Sequence, residues 1–295
     1  MQAWFKNNRQ LLLRGAGTLL ALVLLVVLLS QSGNEILVAF RRISAWNLAL
    51  AFGCILASRL SITARWYVLL RAGEVKIPFK DTAALVFTGL FANNFLPTTI
   101  GGDVVRLAGA MQMGYDRAVC LASIAADRVV NLVGMSLAAP LGLWQVFAVS
   151  GPLHSLALAG LWQKGRDFIL KTLQALTIWL KKPSSLLAAL GFALLHMLCS
   201  FGANYLLLQG LGEGLALWKV IGLFSLAYFI GLVPVSINGY GVSELTVTFL
   251  LSQFGGVSLP ASAAVAVLHR LLMMLVSLPG AYFLPGVLAK MDKHE

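Results

Sequence analysis

Charge is what this sequence has least of. Only 11% of its residues are Asp, Glu, Lys or Arg, while 59% are hydrophobic and the mean hydropathy is +0.85. An ordinary soluble domain carries roughly a quarter charged residues, so too little charge is present to clothe a water-facing surface, and a soluble globular protein is excluded. Acidic residues are scarcer still, 11 against 22 Lys and Arg. In so apolar a chain the formal excess of +11 points to cytoplasmic loops that follow the positive-inside bias and meet anionic headgroups. Nucleic acid is set aside as a partner, because no basic, aromatic-interleaved soluble stretch exists. Cysteine is rare too. Cys54, Cys120 and Cys199 sit far apart in apolar runs, as small hydrophobes and not as a disulfide framework or metal site. No His-Glu-x-x-His zinc motif or phosphate-loop signature occurs, so metalloprotease and nucleotide-hydrolase chemistry lack support. No cofactor is expected.

What is abundant is long apolar runs. The 295 residues leave room for about eight segments of the roughly 20 residues a spanning helix needs, in a single integral membrane domain over 1–295. Lys6, Arg9 and Arg14 precede an apolar run over 15–30, which reads as an uncleaved first span with the N-terminus inside. A secretory signal cleaved near Ser30-Gln31-Ser32 is the alternative. A second span over 46–70 returns to a basic loop holding Arg71, Lys76 and Lys80, which is therefore cytoplasmic.

The next apolar helix, over 82–96, breaks at Asn93-Asn94-Phe95-Leu96-Pro97-Thr98-Thr99-Ile100-Gly101-Gly102-Asp103. At about 15 residues it is too short to cross. A second short helix over 103–113 follows, and the two read as a re-entrant pair, tolerated at membrane depth only where protein or a water-filled cavity satisfies the broken backbone. The stretch 117–162 suits two spans joined tightly around Pro140 and Gly142, the arrangement with the better parity. One continuous kinked helix to Val149 is the alternative. Over 166–182, Ile169, Leu173, Leu176 and Leu180 recur at helical spacing, as in an amphipathic helix in the cytoplasmic interface or one packed on the protein surface. A full span over 184–211 follows. The run from Lys219 to Val233 breaks at Pro234-Val235-Ser236-Ile237-Asn238-Gly239-Tyr240-Gly241, a short helix carries Glu244 to about Phe254, and a last full span covers 259–284. The tail with Lys290 and Lys293 is placed in the cytoplasm. The fold class expected is thus an all-α polytopic membrane protein with about six full spans and two re-entrant half-helix pairs.

The two breaks share Pro-x-(Thr/Ser)-Ile-x-Gly, through Pro97, Gly102, Pro234 and Gly239, and each precedes an apolar helix bearing an arginine, in Ala126-Asp127-Arg128-Val129-Val130 and Leu268-His269-Arg270-Leu271-Leu272. Two similar elements in the same order argue for an internal repeat, with cores over 82–138 and 218–285. On the topology above the halves are inverted relative to each other. Paired Gly/Pro-interrupted short segments are the sequence pointer to a transporter's midplane site; two kinks repaired by neighbouring helices are the plainer reading.

The motif running from Asn93-Asn94-Phe95-Leu96-Pro97 to Gly101-Gly102-Asp103-Val104-Val105-Arg106, then Asp127-Arg128, then Asn238-Gly239-Tyr240-Gly241-Val242-Ser243-Glu244 resembles the flippase-like transmembrane domain of lysylphosphatidylglycerol synthases and the stand-alone YbhN-like inner-membrane proteins. The resemblance implies a multi-pass protein of the bacterial inner membrane, of the lipid-translocating type. The synthases also carry a soluble acyltransferase-like domain that makes the aminoacyl lipid; it has no counterpart in this sequence, so no enzymatic activity is expected. Ser243 stands where a basic residue is common before Glu244.

A charge at bilayer depth costs a few kcal/mol or more and therefore faces a cavity or a partner. Arg128 and Arg270 read as anion ligands or as members of buried ion pairs. Arg59 reads the same way, with Asp127 available to neutralise it; Arg65 lies nearer the cytoplasmic end and can snorkel, although the Arg65-Trp66 pair also resembles the family pattern. Asp103 and Arg106 share a helix face, as a local ion pair or as a phosphate-holding Arg oriented by Asp103. Glu244 lies in a first helical turn, where a carboxylate suits the dipole; gating or proton coupling is its sharper role. His269 is of the residue type that changes charge near neutral pH. Unpaired N–H groups after Gly102 and Gly239 suit an anionic group, and Thr98, Thr99, Ser236 and Asn238 add neutral hydrogen-bonding groups. Pro97, Gly101, Gly102, Pro234, Gly239 and Gly241 make the breaks.

These pieces suggest alternating access for a phospholipid or polyprenyl-phosphate-linked lipid. A two-aspartate membrane protease is a poor match, because Gly101-Gly102-Asp103 precedes Tyr115-Asp116, the reverse of the order such enzymes need. The remaining alternative is a non-transporting membrane partner of a glycosyltransferase or lipid-synthesis enzyme.

Overall fold

The computed structural model describes residues 43–96, 101–150, 182–233 and 236–291, with single positions at 19, 23, 26, 38 and 41. The expected first span and the 166–182 helix, apart from Lys182, lie outside the described residues, as do Pro97, Thr98, Thr99 and Pro234. Nine α-helices run through the described stretches, and no strand occurs among them. The chain is an all-α polytopic membrane protein. Four of its helices are long and apolar enough to cross a bilayer.

The first of these, α1 (Ala45–Ala72), is started by Ser44, whose hydroxyl accepts from the Asn47 N–H at 3.1 Å, and is closed by Arg71 in its last turn, where a cation suits the helix dipole. Next come α2 (Phe79–Ala92) and α3 (Gly101–Gln112), on either side of the first break. At 14 and 12 residues they reach about 21 and 18 Å, well short of the ~30 Å hydrocarbon core. They approach so closely that a side chain on either Gly89 or Gly102 would run into the other's backbone.

Helix α4 (Arg117–Ser150) is one continuous element of 34 residues with Pro140 inside it. The expected hairpin at Pro140 and Gly142 is therefore corrected to a single long helix. Gly142 is not a turn residue; it lets α4 press against Gly222, and Gln145 secures the contact by donating to the Lys219 carbonyl at 3.3 Å. Helix α5 (Pro183–Gly210) opens with proline at its first position, where the missing N–H costs nothing. The Lys182 ammonium ties this start to the end of α1 through the Ala72 carbonyl at 2.9 Å and Glu74 at 3.1 Å.

The second break lies between α6 (Leu217–Gly231) and α7 (Val242–Phe254), with a single 3-10 turn at Ile237–Gly239. Asn238, Gly239 and Gly241 all have positive φ, 50, 74 and 75°, a conformation open to Gly and, less freely, Asn. The expected last span is shorter than its apolar run. Helix α8 (Leu259–Ser277) stops at Leu278 and the chain restarts as α9 (Pro279–Met291), because proline at 279 cannot continue the hydrogen-bond ladder. Gly280 then lays α9 against the Phe87 carbonyl of α2, so the end of the described chain covers the first half-helix pair.

The largest core joins α1, α5, α6, α7 and α8 around Ile55, Leu207, Leu223, Leu251 and Val265; a second joins α1 to α2, α3 and α4 around Trp66, Leu85 and Cys120. Leu60, Leu194, Leu198, Leu271 and Leu275 are exposed on the outside, as expected of helices whose solvent is lipid.

Candidate functional site

The two breaks meet. Asn238 in the second donates its side-chain amide to the Asn93 carbonyl in the first, and the Tyr240 hydroxyl donates to the Asn94 carbonyl at 2.9 Å. Asn94 in turn donates to the Ser277 hydroxyl at 2.9 Å, at the end of α8. Carbonyls left over where a helix stops need a donor when buried, and here the other break supplies two of them.

The breaks differ at their helix starts. At the first, the Asn93 side chain accepts from the Gly102 N–H at 2.6 Å, so that N–H is not open to an anion as the sequence suggests. At the second, no side chain caps α7, which starts from Gly241.

A charged cluster lies beside each break. At the first, Asp103 on α3 binds Arg128 on α4 at 2.6 Å and Arg106 on its own helix at 3.1 Å. Arg106 also reaches Asp127 at 3.3 Å and stacks 4.0 Å from the Trp66 ring. Asp127 receives Arg65 at 2.7 Å. Arg65 therefore does not snorkel: it is buried, and it rather than Arg59 is what Asp127 neutralises. Its second donor goes to Asn131 at 2.8 Å, and Asn131 donates to the Tyr228 hydroxyl at 3.0 Å. Arg128 stands at the edge, with 48% of its side chain exposed against 14% for Asp103.

At the second break, Arg270 on α8 donates to Glu244 and Ser243 on α7 and lies 5.0 Å from the Tyr240 ring. Ser243 thus serves as a neutral acceptor for Arg270. The two halves repeat one arrangement, in which a carboxylate on the half-helix after the break holds an arginine on the next long helix. The partners are 25 residues apart for Asp103 and Arg128 and 26 for Glu244 and Arg270.

Other expected residues fall around this pairing. Arg59 makes no ion pair among the described residues, but it lies within electrostatic reach of Arg270. His269 is tilted against Phe224 at 6.3 Å with its Nδ1 buried and unpartnered, and Ser236 is buried. Gly101 and Gly102 form the first turn of α3. Among the described residues no group of three His, Cys, Asp or Glu side chains converges as a metal site would.

Trp66, Asn131 and Tyr228 lie outside the motifs, whereas Asn93, Asn94 and Tyr240 lie within them and Arg65 within an apolar run, with nothing there to say what each contacts. A signal existed for some of them. Ser123, Asp127 and Asn131 lie one turn apart along an apolar helix, and all three face Arg65 and Trp66, with the Trp66 indole donating to Ser123 at 3.0 Å. Polar residues at that spacing in a membrane helix mark a face that needs a partner. The buried pair of Ser58 and His196, 2.7 Å apart, had no such marker.

No curated protein matches the chain. The lysylphosphatidylglycerol synthase TM region matches residues 15–280, and the chain belongs to that family.

Proposed function

We propose that this protein translocates a lipid with an anionic headgroup across the bacterial inner membrane, with both termini in the cytoplasm and no catalytic chemistry of its own. The observation that carries this reading is the meeting of the two breaks, each flanked by an arginine held by one carboxylate. Broken backbone at membrane depth is tolerated where it lines a cavity, and guanidinium groups offer phosphate two donors in one plane. Arg128 and Arg270 are the headgroup ligands, because they are the more exposed members of their pairs. Asp103 and Glu244 hold them in place.

The equivalent pairing in the two halves supports an inverted repeat with cores over 82–138 and 218–285. The halves rock about the contact between the breaks and present the headgroup to one side and then the other. The acyl chains stay in the bilayer throughout, so little hydrocarbon leaves lipid. A cargo class of phospholipid or polyprenyl-phosphate-linked lipid follows from the same chemistry.

The test is reconstitution into liposomes with a headgroup-accessibility assay. Wild type is expected to speed lipid exchange, and the Arg128→Ala/Arg270→Ala double variant to lose that acceleration. Equal exchange by the two proteins sinks the site. No exchange by wild type, with a lipid-modifying enzyme co-purifying, replaces transport by a scaffolding role.

A further inference from the structure

A tyrosine lies beside each cluster, and the two use their hydroxyls in opposite senses. At the second break the Tyr240 hydroxyl meets the Asn94 carbonyl at 2.9 Å. A carbonyl oxygen only accepts, so Tyr240 donates and its proton is used within the protein. At the first break the order of donors is reversed. Arg65 carries donors alone, so the Asn131 side-chain oxygen, 2.8 Å from Arg65 Nη1, is the accepting end of that amide. The nitrogen end then faces Tyr228 and donates to its phenol oxygen at 3.0 Å. Tyr228 is the acceptor in this bond, and its own proton points elsewhere. Among the described residues nothing accepts that proton.

Packing fixes where the proton lies. The Tyr228 ring packs against the cluster of Met135, Met197 and Phe201 and meets Phe229 edge-on at 5.6 Å. Its helix, α6, is held close to α4 by the contact of Gly142 with Gly222. Asn131 and Arg128 are three residues apart on α4 and so are neighbours on its surface, which brings the phenol bonded to Asn131 to the level of Arg128. The two side chains also lie within electrostatic reach of each other. Tyr228 is half-buried, and 48% of the Arg128 side chain is exposed, so both border the edge of the first cluster. Six residues before the proline of each break the sequence has Phe91 and Tyr228; the first half-helix pair has no matching hydroxyl.

We propose that the Tyr228 hydroxyl is a headgroup ligand, donating to a phosphate oxygen of the lipid held at Arg128. The inference rests on the translocation reading and adds a contact to its site. A group shared by a phenol proton and a guanidinium must accept hydrogen bonds and carry negative charge, which is the chemistry of a phosphate oxygen. The phosphate ends a relay that runs from Asp127 through Arg65 and Asn131 to Tyr228. It is also held from both halves, since Arg128 lies in the core over 82–138 and Tyr228 in that over 218–285. Tyr240, whose proton is committed to Asn94, makes no such contact at Arg270.

The test compares purified full-length wild type, Tyr228→Phe and Tyr228→3-fluorotyrosine. Each is offered phosphatidic acid and diacylglycerol with the same acyl chains, which differ by the phosphate alone, and the retained lipid is measured by native mass spectrometry. Wild type is expected to prefer phosphatidic acid. Tyr228→Phe is expected to cut that preference at least about tenfold, as for a hydrogen bond to a charged group. Fluorination makes the phenol a stronger donor and a poorer acceptor, so the third protein is expected to raise the preference about twofold, a small part of what such a bond contributes. A Tyr228 that serves only as acceptor for Asn131 predicts the opposite, lower thermal stability on fluorination and no gain in preference. No preference in wild type, or an equal one in Tyr228→Phe, overturns the assignment. If Tyr228→Phe fails to fold because the Asn131 amide loses its acceptor, the fluorinated protein decides, and an unchanged or lower preference overturns it. If the preferences hold but wild type moves no lipid between the leaflets of liposomes, the phosphate contact stands and the translocation reading fails.

Discussion

The Tyr240 hydroxyl donates to the Asn94 carbonyl at 2.9 Å, joining residues 146 positions apart in the chain. The same phenol ring lies beneath Arg270, so one side chain touches both the contact between the breaks and the arginine of the second cluster. A movement of the halves that parts the breaks must break this bond and disturb Arg270 together.

Tyr240→Phe keeps the ring under Arg270 and removes only the hydroxyl. A buried hydrogen bond contributes about 1 kcal/mol net, so the closed arrangement should lose about fivefold in population. Spin labels on α2 and α7 check this by distance distributions: a larger share of long distances is expected, and an unchanged distribution means the bond does not hold the breaks together.

Gly280→Ala places a methyl group against the Phe87 carbonyl, whereas Gly53→Ala on α1 meets nothing within 4 Å. Overpacking costs about 1–3 kcal/mol, and the open site gains up to about 1 kcal/mol from helix propensity. Thermal stability in detergent should therefore fall for the first variant and hold or rise for the second.

Asp127→Asn removes the carboxylate shared by Arg65 and Arg106. Loss of one partner of a buried pair destabilises by about 3–5 kcal/mol, so the variant should express poorly and elute as aggregate. Arg128→Gln, at the exposed edge, should fold normally and lose lipid exchange. Equal yields for the two would contradict the division between a structural centre and a functional edge.

Asn93→Ala uncaps α3 by freeing the Gly102 N–H. A cap of this kind is worth about 1 kcal/mol. Hydrogen exchange at the start of α3 should speed several-fold, with little change in α7, whose start no side chain caps.

The short reach of α2, α3, α6 and α7, and the turns that end them, were legible in the sequence. Asn, Gly and Pro clusters stop a helix whatever surrounds it. The length of α4 was not. Proline usually breaks a helix, but Pro140 lies two residues before Gly142, which presses α4 against α6, and Gln145 holds the contact there. The last span was overestimated for the opposite reason, since its apolar pattern runs on through Pro279 although the helix does not.

Composition alone determined the solvent, since so few charges place the chain in lipid, and the long apolar runs made its spans helical, the form in which a single segment pairs its own backbone groups in hydrocarbon. The sequence also determined which charged residues would need explaining, since each ionisable group placed in an apolar run carries a cost that something must offset. Only the tertiary structure decided the partners. Arg59 and Arg65 lie on the same helix, and by sequence either could meet Asp127; the rotation and register of α1 against α4 chose Arg65 and left Arg59 with no ion pair among the described residues. The meeting of the breaks through Asn93, Asn94, Asn238 and Tyr240 had the same origin. Contacts between residues so far apart in sequence depend on how whole helices pack, and local pattern carries no record of that.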